Sequence, residues 1–262
     1  MPKRLEVIVP VHNGEIELPR MLAALAPQVW DEVRVTLVLN GCSDASEAIA
    51  RDGLATIQAS GAEARLLQAP RASRPAALNT GETDAQGHRL YLDQDAVLSP
   101  DALRLILDAI DSGAHFVGAG ALWRTRSPLV AMAMQAWNHI PYVVEQPVTA
   151  GMYAVSASGR ARWGAWPDAL PDDKFARLQF APAERVRPAG LTYSVAAPDS
   201  FAGLIAARRR YFQSNVALRE ARPELFAQDG ARYDRLWRLA PAQWPGAIVL
   251  AAAEAGARLG AR

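Results

Sequence analysis

The sequence predicts an α/β fold in which a largely parallel sheet is covered by helices. Two observations carry this prediction. Continuous apolar runs, typical of strands buried on both faces, alternate with segments of helical spacing four times within the first ~110 residues. The loops after three of these runs carry polar side chains, and open α/β sheets bind ligands at the carboxyl ends of their strands.

The first half contains the clearest elements. Strands are expected at residues 5–11, 33–39, 64–67 and 89–92. Helices are expected between them at 17–25, after Asp44, and at 74–81, where Pro75 stands early in the helix. In the first helix the apolar side chains fall on one face, as helical spacing requires; they are Leu18, Met21, Leu22 and Leu25.

The pattern loosens in the second half. Strands are expected at 116–122, 151–156, 186–187 and 193–196, and helices at 128–139, 174–180 and 201–219. The sequence shows no internal repeat and no low-complexity linker. We therefore expect a single catalytic domain over residues 1–220, with halves 1–112 and 113–220, followed by a helical tail over 221–262.

Composition excludes several classes of protein. The chain has 262 residues, half of them hydrophobic, and a net charge of +1, which argues against nucleic-acid binding driven by phosphate neutralisation. A single cysteine, Cys42, excludes an internal disulfide and a cysteine-rich zinc site. No signal-like region follows Met1, so a cytoplasmic location is expected. The apolar tail at 239–253 is too short to span a membrane; core packing and peripheral contact at the inner face both stay open.

The triplet Asp93-Gln94-Asp95 follows the fourth predicted strand directly. Side chains two residues apart in an extended loop point the same way, so the two carboxylates are able to share one divalent cation. The alternative is a solvated acidic turn, with Ser99 as the N-cap of the next helix. In a doubly wound sheet, this loop and those after residues 11 and 39 surround one ligand.

Five segments stand in a characteristic order. They are VIVPVHN (7–13), VLNGCSD (38–44), RPAALNTG (74–81), YLDQD (91–95) with SPDAL (99–103) behind it, and GAWPD (164–168) followed by Asp172 and Asp173. Together they resemble the family 2 inverting glycosyltransferases, whose nucleotide-binding fold is called GT-A. The resemblance covers residues 5–180 and implies a GT-A-like nucleotide-binding sheet flanked by helices, with a helical C-terminal region.

The resemblance implies transfer of one sugar from a nucleoside diphosphate sugar to an acceptor hydroxyl on a glycan, a lipid-linked molecule or a small molecule. A divalent metal, Mn²⁺ or Mg²⁺, would offset the charge of the leaving diphosphate. Asp95 corresponds to the direct metal ligand, and Asp93 to a residue that holds the ribose or a metal-bound water. Asp173 corresponds to the general base, with Asp172 as the second choice. The acids in the first turn of a helix are the alternative explanation for this pair.

The resemblance also implies a nucleotide-sugar-binding set: Pro10, Val11, Asn13, Glu15, Asn40 and Arg74. A strand-ending turn and a solvated helix-start arginine are the structural alternatives for these residues. One departure stands out, because many relatives carry an acid at Leu39 that reads uracil. The leucine side chain accepts no hydrogen bond, so the resemblance does not extend to uracil recognition at this position, and Asn40 is the candidate replacement.

Features of the second half bear on processivity and on what its arginine and tryptophan side chains contact. The Gln-x-x-Arg-Trp signature of processive members is replaced by the run RRRYFQ (208–213), and transmembrane segments are not apparent, which favours a non-processive enzyme. The arginines fit either a clamp for an anionic group or, more commonly, a basic helix face. Trp163 and Trp166 fit either sugar stacking or packing.

Two alternatives to a glycosyltransferase remain at this point. Loss of the acid at Leu39 motivates a non-catalytic member that binds a sugar nucleotide or a partner protein. The run DQDAV (93–97) also fits the nucleophile motif of haloacid dehalogenase-like phosphatases. That reading places the motif on the first core strand and needs a later lysine, whereas here three strands precede it and no lysine lies between Asp95 and Asp173.

Overall fold

The computed structural model describes residues 4–168, 170–229 and 238–259. Its strands are β1 (Leu5–Val11), β2 (Val33–Leu39), β3 (Glu63–Gln68), β4 (His88–Leu92), β5 (Val97–Leu98), β6 (Phe116–Val117), β7 (Gly120–Arg124), β8 (Met152–Val155), β9 (Arg185–Val186) and β10 (Thr192–Ala196). Its α-helices are α1 (Leu18–Leu25), α2 (Ser46–Ala59), α3 (Arg74–Gly81), α4 (Ala102–Asp111), α5 (Pro128–Trp137), α6 (Pro141–Glu145), α7 (Ala157–Arg160), α8 (Asp172–Leu178), α9 (Phe201–Ala221) and α10 (Trp244–Leu259).

A seven-stranded sheet with the order β3-β2-β1-β4-β8-β6-β9 forms the centre of the fold. The first four strands in this order are parallel, and β8 runs antiparallel to both β4 and β6. The chain passes outward from β1 to β3 and then returns to place β4 on the other side of β1. The strand order therefore reverses between β1 and β4, which is where a doubly wound sheet opens a crevice for a ligand.

Both faces of the sheet are buried, which explains the continuous apolar runs. In β1 the side chains of Leu5, Val7 and Val9 pack in one cluster with helices α1, α2 and α4. Ile8 points to the opposite face and packs in a second cluster that contains Tyr91. The alternation follows from the two-residue period of a strand, and it fixes the register because a slip of one residue would exchange the faces.

Two local predictions are wrong. The expected strand at 116–122 is two strands, β6 and β7, in different sheets, since β7 pairs with β10 in a small sheet of three strands. Between them, a Cβ atom on Gly118 would lie 2.6 Å from the carbonyl oxygen of Pro147, so any residue other than glycine would clash at this position. Ser99 does not cap α4, because its Oγ accepts a 3.2 Å hydrogen bond from the Thr192 amide.

The C-terminal region is helical, as expected. Helices α5, α9 and α10 share a cluster to which Met134, Leu204 and Leu250 contribute. A Cβ atom on Gly246 of α10 would lie 2.1 Å from the carbonyl oxygen of Met132, so this glycine allows α10 to approach the backbone of α5 closely. Among the described residues, no helix has both the length and the apolar character needed to cross a membrane.

Candidate active site

The loops after β1, β2 and β4 meet at the carboxyl edge of the sheet. Gln94, the central residue of the acidic triplet, binds the backbone of His12 in both directions. Its Oε1 accepts a 2.7 Å hydrogen bond from the His12 amide, and its Nε2 donates a 3.0 Å bond to the His12 carbonyl. The side chain of Gln94 therefore ties the β4 loop to the β1 loop, leaving the aspartates on either side of it for other contacts.

Pro10 and Val11 close β1 and are buried. The pairing of β1 with β4 ends at Ile8 and Tyr91. Residue 10 therefore donates no hydrogen bond to β4, and a proline, which lacks the backbone N–H, is tolerated there. The backbone amide of Asn40, directly after β2, donates a 2.8 Å hydrogen bond to the Val11 carbonyl. Pro10, Val11 and Asn40 thus lie where the crevice between β1 and β4 opens.

Three predicted nucleotide-binding side chains hold the loops together through oxygen acceptors. Asn13, with a φ of +48°, accepts a 2.9 Å bond from the Ser43 amide, and Glu15 accepts a 3.2 Å bond from the Ala45 amide. Asn40 accepts a 2.6 Å bond from the amide of Ser73, the N-cap residue of α3. All three lie on the loops at the carboxyl edge of the sheet, and their side-chain oxygens accept hydrogen bonds from the backbone of these loops.

Arg74, the first residue of α3, lies between two acids. Its Nε and Nη2 donate hydrogen bonds of 2.7 and 3.1 Å to Asp172, and Nη2 lies 2.7 Å from Oδ1 of Asp93. Although burial opposes it, the charges of Asp172 and Asp93 hold the pKa of Arg74 well above its ordinary value. Arg74 therefore neutralises part of this acidic group, and it is not the solvated arginine that the sequence left open.

The two adjacent acids that begin α8 differ in their surroundings. Asp172 is buried, and besides Arg74 it accepts a 2.8 Å hydrogen bond from the Tyr153 hydroxyl. Burial acts to raise its pKa, but Arg74 and Tyr153 lower the pKa overall. Asp173 accepts a 2.6 Å bond from the Lys174 amide, and burial followed by the charge of Asp172 raises its pKa to about 6. The pair therefore combines a carboxylate held in its ionised form with one poised to exchange a proton near neutrality.

Asp95 is half-buried beside the crevice, and its carboxylate makes no hydrogen bond or ion pair with another described residue. Burial, and then the charge of Asp93, raise its pKa. Its carbonyl oxygen accepts a 3.2 Å bond from Arg124, which also binds Glu17. The charge of Arg124 acts to lower this pKa, but among the described residues no cation forms an ion pair with the Asp95 carboxylate. Within the described ranges, no group of three or more His, Cys, Asp or Glu side chains is placed to hold a metal without other ligands.

A cavity of about 670 Å³ lies beside these acids. Arg74, Asp93, Asp172 and Asp173 line one part of it. The aromatic side chains among the described residues that line it are Phe116, Trp123, Trp137, Tyr142, Tyr153 and Tyr211. This volume is in the range of small-molecule sites.

Several cavity residues escaped the sequence analysis. Tyr153 had no signal beyond its place in a short strand, and Trp137 had none beyond its place in the expected helix at 128–139. Arg208 is buried at 6% exposure on the cavity wall, so it is not part of a solvated basic face. Trp163 and Trp166 do not line the cavity; they pack edge-to-face in the cluster that contains Ile8 and Tyr91, as the packing alternative has it.

Comparison with known proteins gives this arrangement a family. The sequence model described as Glycosyl transferase family 2 matches residues 6–151, whereas no curated protein matches. Among solved structures, the mannosyltransferase PcManGT from Pyrobaculum calidifontis, in complex with GDP-Man and Mn²⁺, is 22% identical. The alignment covers 100% of this chain and 79% of that chain, with a TM-score of 0.67.

Two further structures share the fold at lower similarity. S. aureus TarS 1-349 in complex with UDP-GlcNAc is 15% identical over 99% of this chain and 92% of that chain, with a TM-score of 0.56. M. tuberculosis glucosyl-3-phosphoglycerate synthase is 18% identical over 83% and 80%, with a TM-score of 0.51. These structures support a GT-A-like fold. Because the family model spans more than half of the sequence, the chain belongs to glycosyl transferase family 2.

Proposed function

We propose that this protein transfers one sugar from a nucleoside diphosphate sugar to an acceptor hydroxyl, in a metal-dependent, inverting and non-processive reaction. The observation that carries the proposal is the acid pair at the start of α8. Asp172 and Asp173 have pKa values shifted in opposite directions, and they line a cavity together with Asp93. Such a pair suits one acid for positioning and the other for proton transfer.

Asp173 is proposed as the general base. With its pKa raised to about 6, the carboxylate is mostly ionised at neutral pH and still basic enough to take a proton. As the acceptor oxygen bonds to the anomeric carbon, its proton passes to Asp173. The bond from that carbon to the diphosphate oxygen breaks, and the electron pair leaves with the diphosphate. A single displacement of this kind inverts the anomeric carbon.

The chemistry of the acidic loop fits a divalent metal. Carboxylate oxygens are ligands that Mn²⁺ and Mg²⁺ accept, and the Asp95 carboxylate forms no ion pair with a described cation, although the charge of Arg124 acts on it. We assign Asp95 as the direct ligand and Asp93 as a partner of the ribose or of a metal-bound water. When bound, the metal would supply positive charge beside the leaving diphosphate. With two carboxylates available from the loop, further ligands would come from the donor and water.

The donor would lie along the loops after β1 and β2. Because the oxygens of Asn13, Glu15 and Asn40 bind backbone amides, Pro10, Val11 and their neighbours would frame the nucleotide largely through backbone groups. Arg74 would hold the acids in place beside the diphosphate. In this proposal residues 1–112 bind the donor, residues 113–220 bind the acceptor, and 221–262 form the helical tail. A cytoplasmic location with peripheral membrane contact stays a prediction from the sequence.

Turnover of a donor panel tests this function. Structural neighbours bind GDP-Man, UDP-GlcNAc and UDP, so the panel needs both guanosine and uridine diphosphate sugars. We expect release of the nucleoside diphosphate with Mn²⁺ from at least one donor, and loss of release with EDTA. Binding without turnover of any donor would favour the non-catalytic alternative. Membership of family 2 sets aside the phosphatase alternative.

The configuration of the product tests the inverting step separately. Proton NMR during the first turnovers is expected to show the anomer opposite to that of the donor sugar. Initial formation of the same anomer would reject single displacement while leaving sugar transfer intact.

A further inference from the structure

The cavity beside the acids has two chemically different sides. Its acidic side contains Asp93, Asp172 and Asp173. The opposite wall comes from β7, α5, α9 and the segment before β8, and it is mostly apolar. Its apolar residues include Trp123, Met134, Trp137, Val148, Leu204 and Ala207.

The apolar part of this wall is poorly suited to a free sugar. Sugar hydroxyls taken out of water need hydrogen-bond partners, and apolar side chains supply none. Trp137 and Leu204 are buried members of a hydrophobic cluster, so burial of apolar ligand atoms against them is favourable. An acceptor that fits here presents its hydroxyl to Asp173 and an apolar body to α5 and α9.

Two arginines of α9 line this wall, Arg208 and Arg210, of which Arg208 is buried and Arg210 is exposed. Arg208 is 6% exposed, its guanidinium carbon lies 4.4 Å from the centroid of the Trp137 ring, and its Nη2 lies 3.7 Å from Sδ of Met134. Guanidinium groups bind carboxylate or phosphate strongly when water is excluded. Tyr211, three residues further along α9, lines the same cavity as Arg208 and Asp173.

The cavity lies on the acceptor side of the proposed reaction. Among the described residues that line it, Arg74 and Asp93 come from the predicted donor set, whereas Asn13, Asn40 and Asp95 do not line it. We propose that the acceptor is an amphiphilic anion, with a hydroxyl at Asp173, an apolar body against Trp137 and Leu204, and a phosphate or carboxylate beside Arg208. The inference rests on the proposed function, since it names the acceptor class of that site.

Calorimetric titration of the full chain with simple probes tests this class. Octyl phosphate is expected to bind at least about ten-fold more tightly than inorganic phosphate or 1-octanol. Affinity should rise about four-fold for each methylene that becomes buried from butyl to octyl phosphate. Hexadecyl phosphate in neutral lipid vesicles provides the lipid-borne source. Binding of either form supports the proposal and tells a soluble acceptor from a lipid-borne one.

Substitutions on α9 locate the anion. Arg208→Gln is expected to weaken octyl phosphate about ten-fold and to leave 1-octanol unchanged, with a smaller loss for Arg208→Lys, which keeps the charge. The neighbouring Arg209→Gln, at a position that does not line the cavity, is the matched control and should match the unmodified protein. Equal losses in both glutamine variants, or octyl phosphate no tighter than inorganic phosphate, would overturn the proposal.

Measurements of nucleotide binding and donor turnover distinguish a failure of the acceptor inference from a failure of the proposed function. If Arg208→Gln weakens GDP or UDP as much as octyl phosphate, the arginine serves the donor and the acceptor inference is wrong. If the donor panel is turned over while octyl phosphate fails to bind, the acceptor inference alone fails. If neither donor binding nor turnover is found, the proposed function fails first.

Discussion

Arg74 binds both carboxylate oxygens of Asp172, with hydrogen bonds of 2.7 and 3.1 Å donated by Nε and Nη2. Nη2 also lies 2.7 Å from Asp93. One guanidinium therefore joins the acid that follows β4 to the acid pair that begins α8. Since the side chain of Asp172 is only 11% exposed, this contact contributes to stability as well as to the shape of the site.

Removing the guanidinium is expected to destabilise the fold. Arg74→Gln leaves Asp172 buried without its main counterion, which we expect to cost about 2–3 kcal/mol, somewhat below a fully buried pair because Arg74 is partly exposed. Denaturant unfolding at pH 7 measures the cost. Arg71→Gln, which breaks the exposed pair with Asp168, is the control and should cost less than about 1 kcal/mol. Equal costs would show that Arg74 contributes nothing beyond a surface pair.

The raised pKa of Asp173 makes this residue a cost to stability at neutral pH. Its folded pKa is about 6, above the ordinary value, so the folded state binds the proton more tightly and loses that advantage as pH rises from about 4 through 6. Asp173→Asn is therefore expected to stabilise the protein by about 1–3 kcal/mol above pH 6, and much less below pH 4. Chemical unfolding across this pH range measures the difference. A gain that is the same at every pH would contradict the assigned cause.

The charge of Asp172 is expected to shift the pH at which the transfer rate falls on the acid side of its pH profile. A deprotonated base requires that the rate fall as pH drops below about 6. Because the negative charge of Asp172 helps to raise the pKa of Asp173, Asp172→Asn should move this limb to lower pH. Tyr153→Phe is the matched control, since it removes a hydrogen bond to Asp172 but keeps the charge. An acid limb that stays in place in Asp172→Asn would exclude this coupling.

Asp95 is expected to govern metal dependence without affecting the fold. Asp95→Ala should raise the Mn²⁺ concentration for half-maximal turnover by about 100-fold, because it removes the direct carboxylate ligand. Stability should stay within about 0.5 kcal/mol, since the Asp95 side chain makes no hydrogen bond or ion pair with another described residue. Turnover against Mn²⁺ concentration measures the effect. Asp108→Ala, on the exposed side of α4, is the control; an unchanged Mn²⁺ curve in Asp95→Ala would remove Asp95 from the metal site.

The central strands were predictable from the sequence because both faces of the sheet are covered. The runs at 5–11 and 33–39 are continuously apolar, and the strands have these same bounds. The edge strand β3 is only partly buried, so its apolar signal is weaker and it extends beyond the expected 64–67. The segment at 116–122 was misjudged because its division depends on a close approach to Pro147, a contact far away in the sequence.

The site was predictable in its positions and less so in its contacts. The bridge between Arg74 and Asp172 joins residues 98 apart in sequence, and no local pattern anticipates it. The arginine triplet at 208–210 likewise gave no sign of which member turns inward. That choice follows from the packing of α9 against α5, which places Arg208 beside Trp137 and Met134.

The rate of nucleoside diphosphate release by Asp173→Asn, with the donor that the unmodified protein turns over, tests the account most directly. Loss of the general base is expected to lower this rate by about 10²- to 10⁴-fold while nucleotide affinity changes by less than about two-fold. Asp168→Asn, an exposed acid paired with Arg71, should release at the normal rate. Turnover by Asp173→Asn within a few-fold of the unmodified protein would contradict the assignment of Asp173 and, with it, the proposed mechanism.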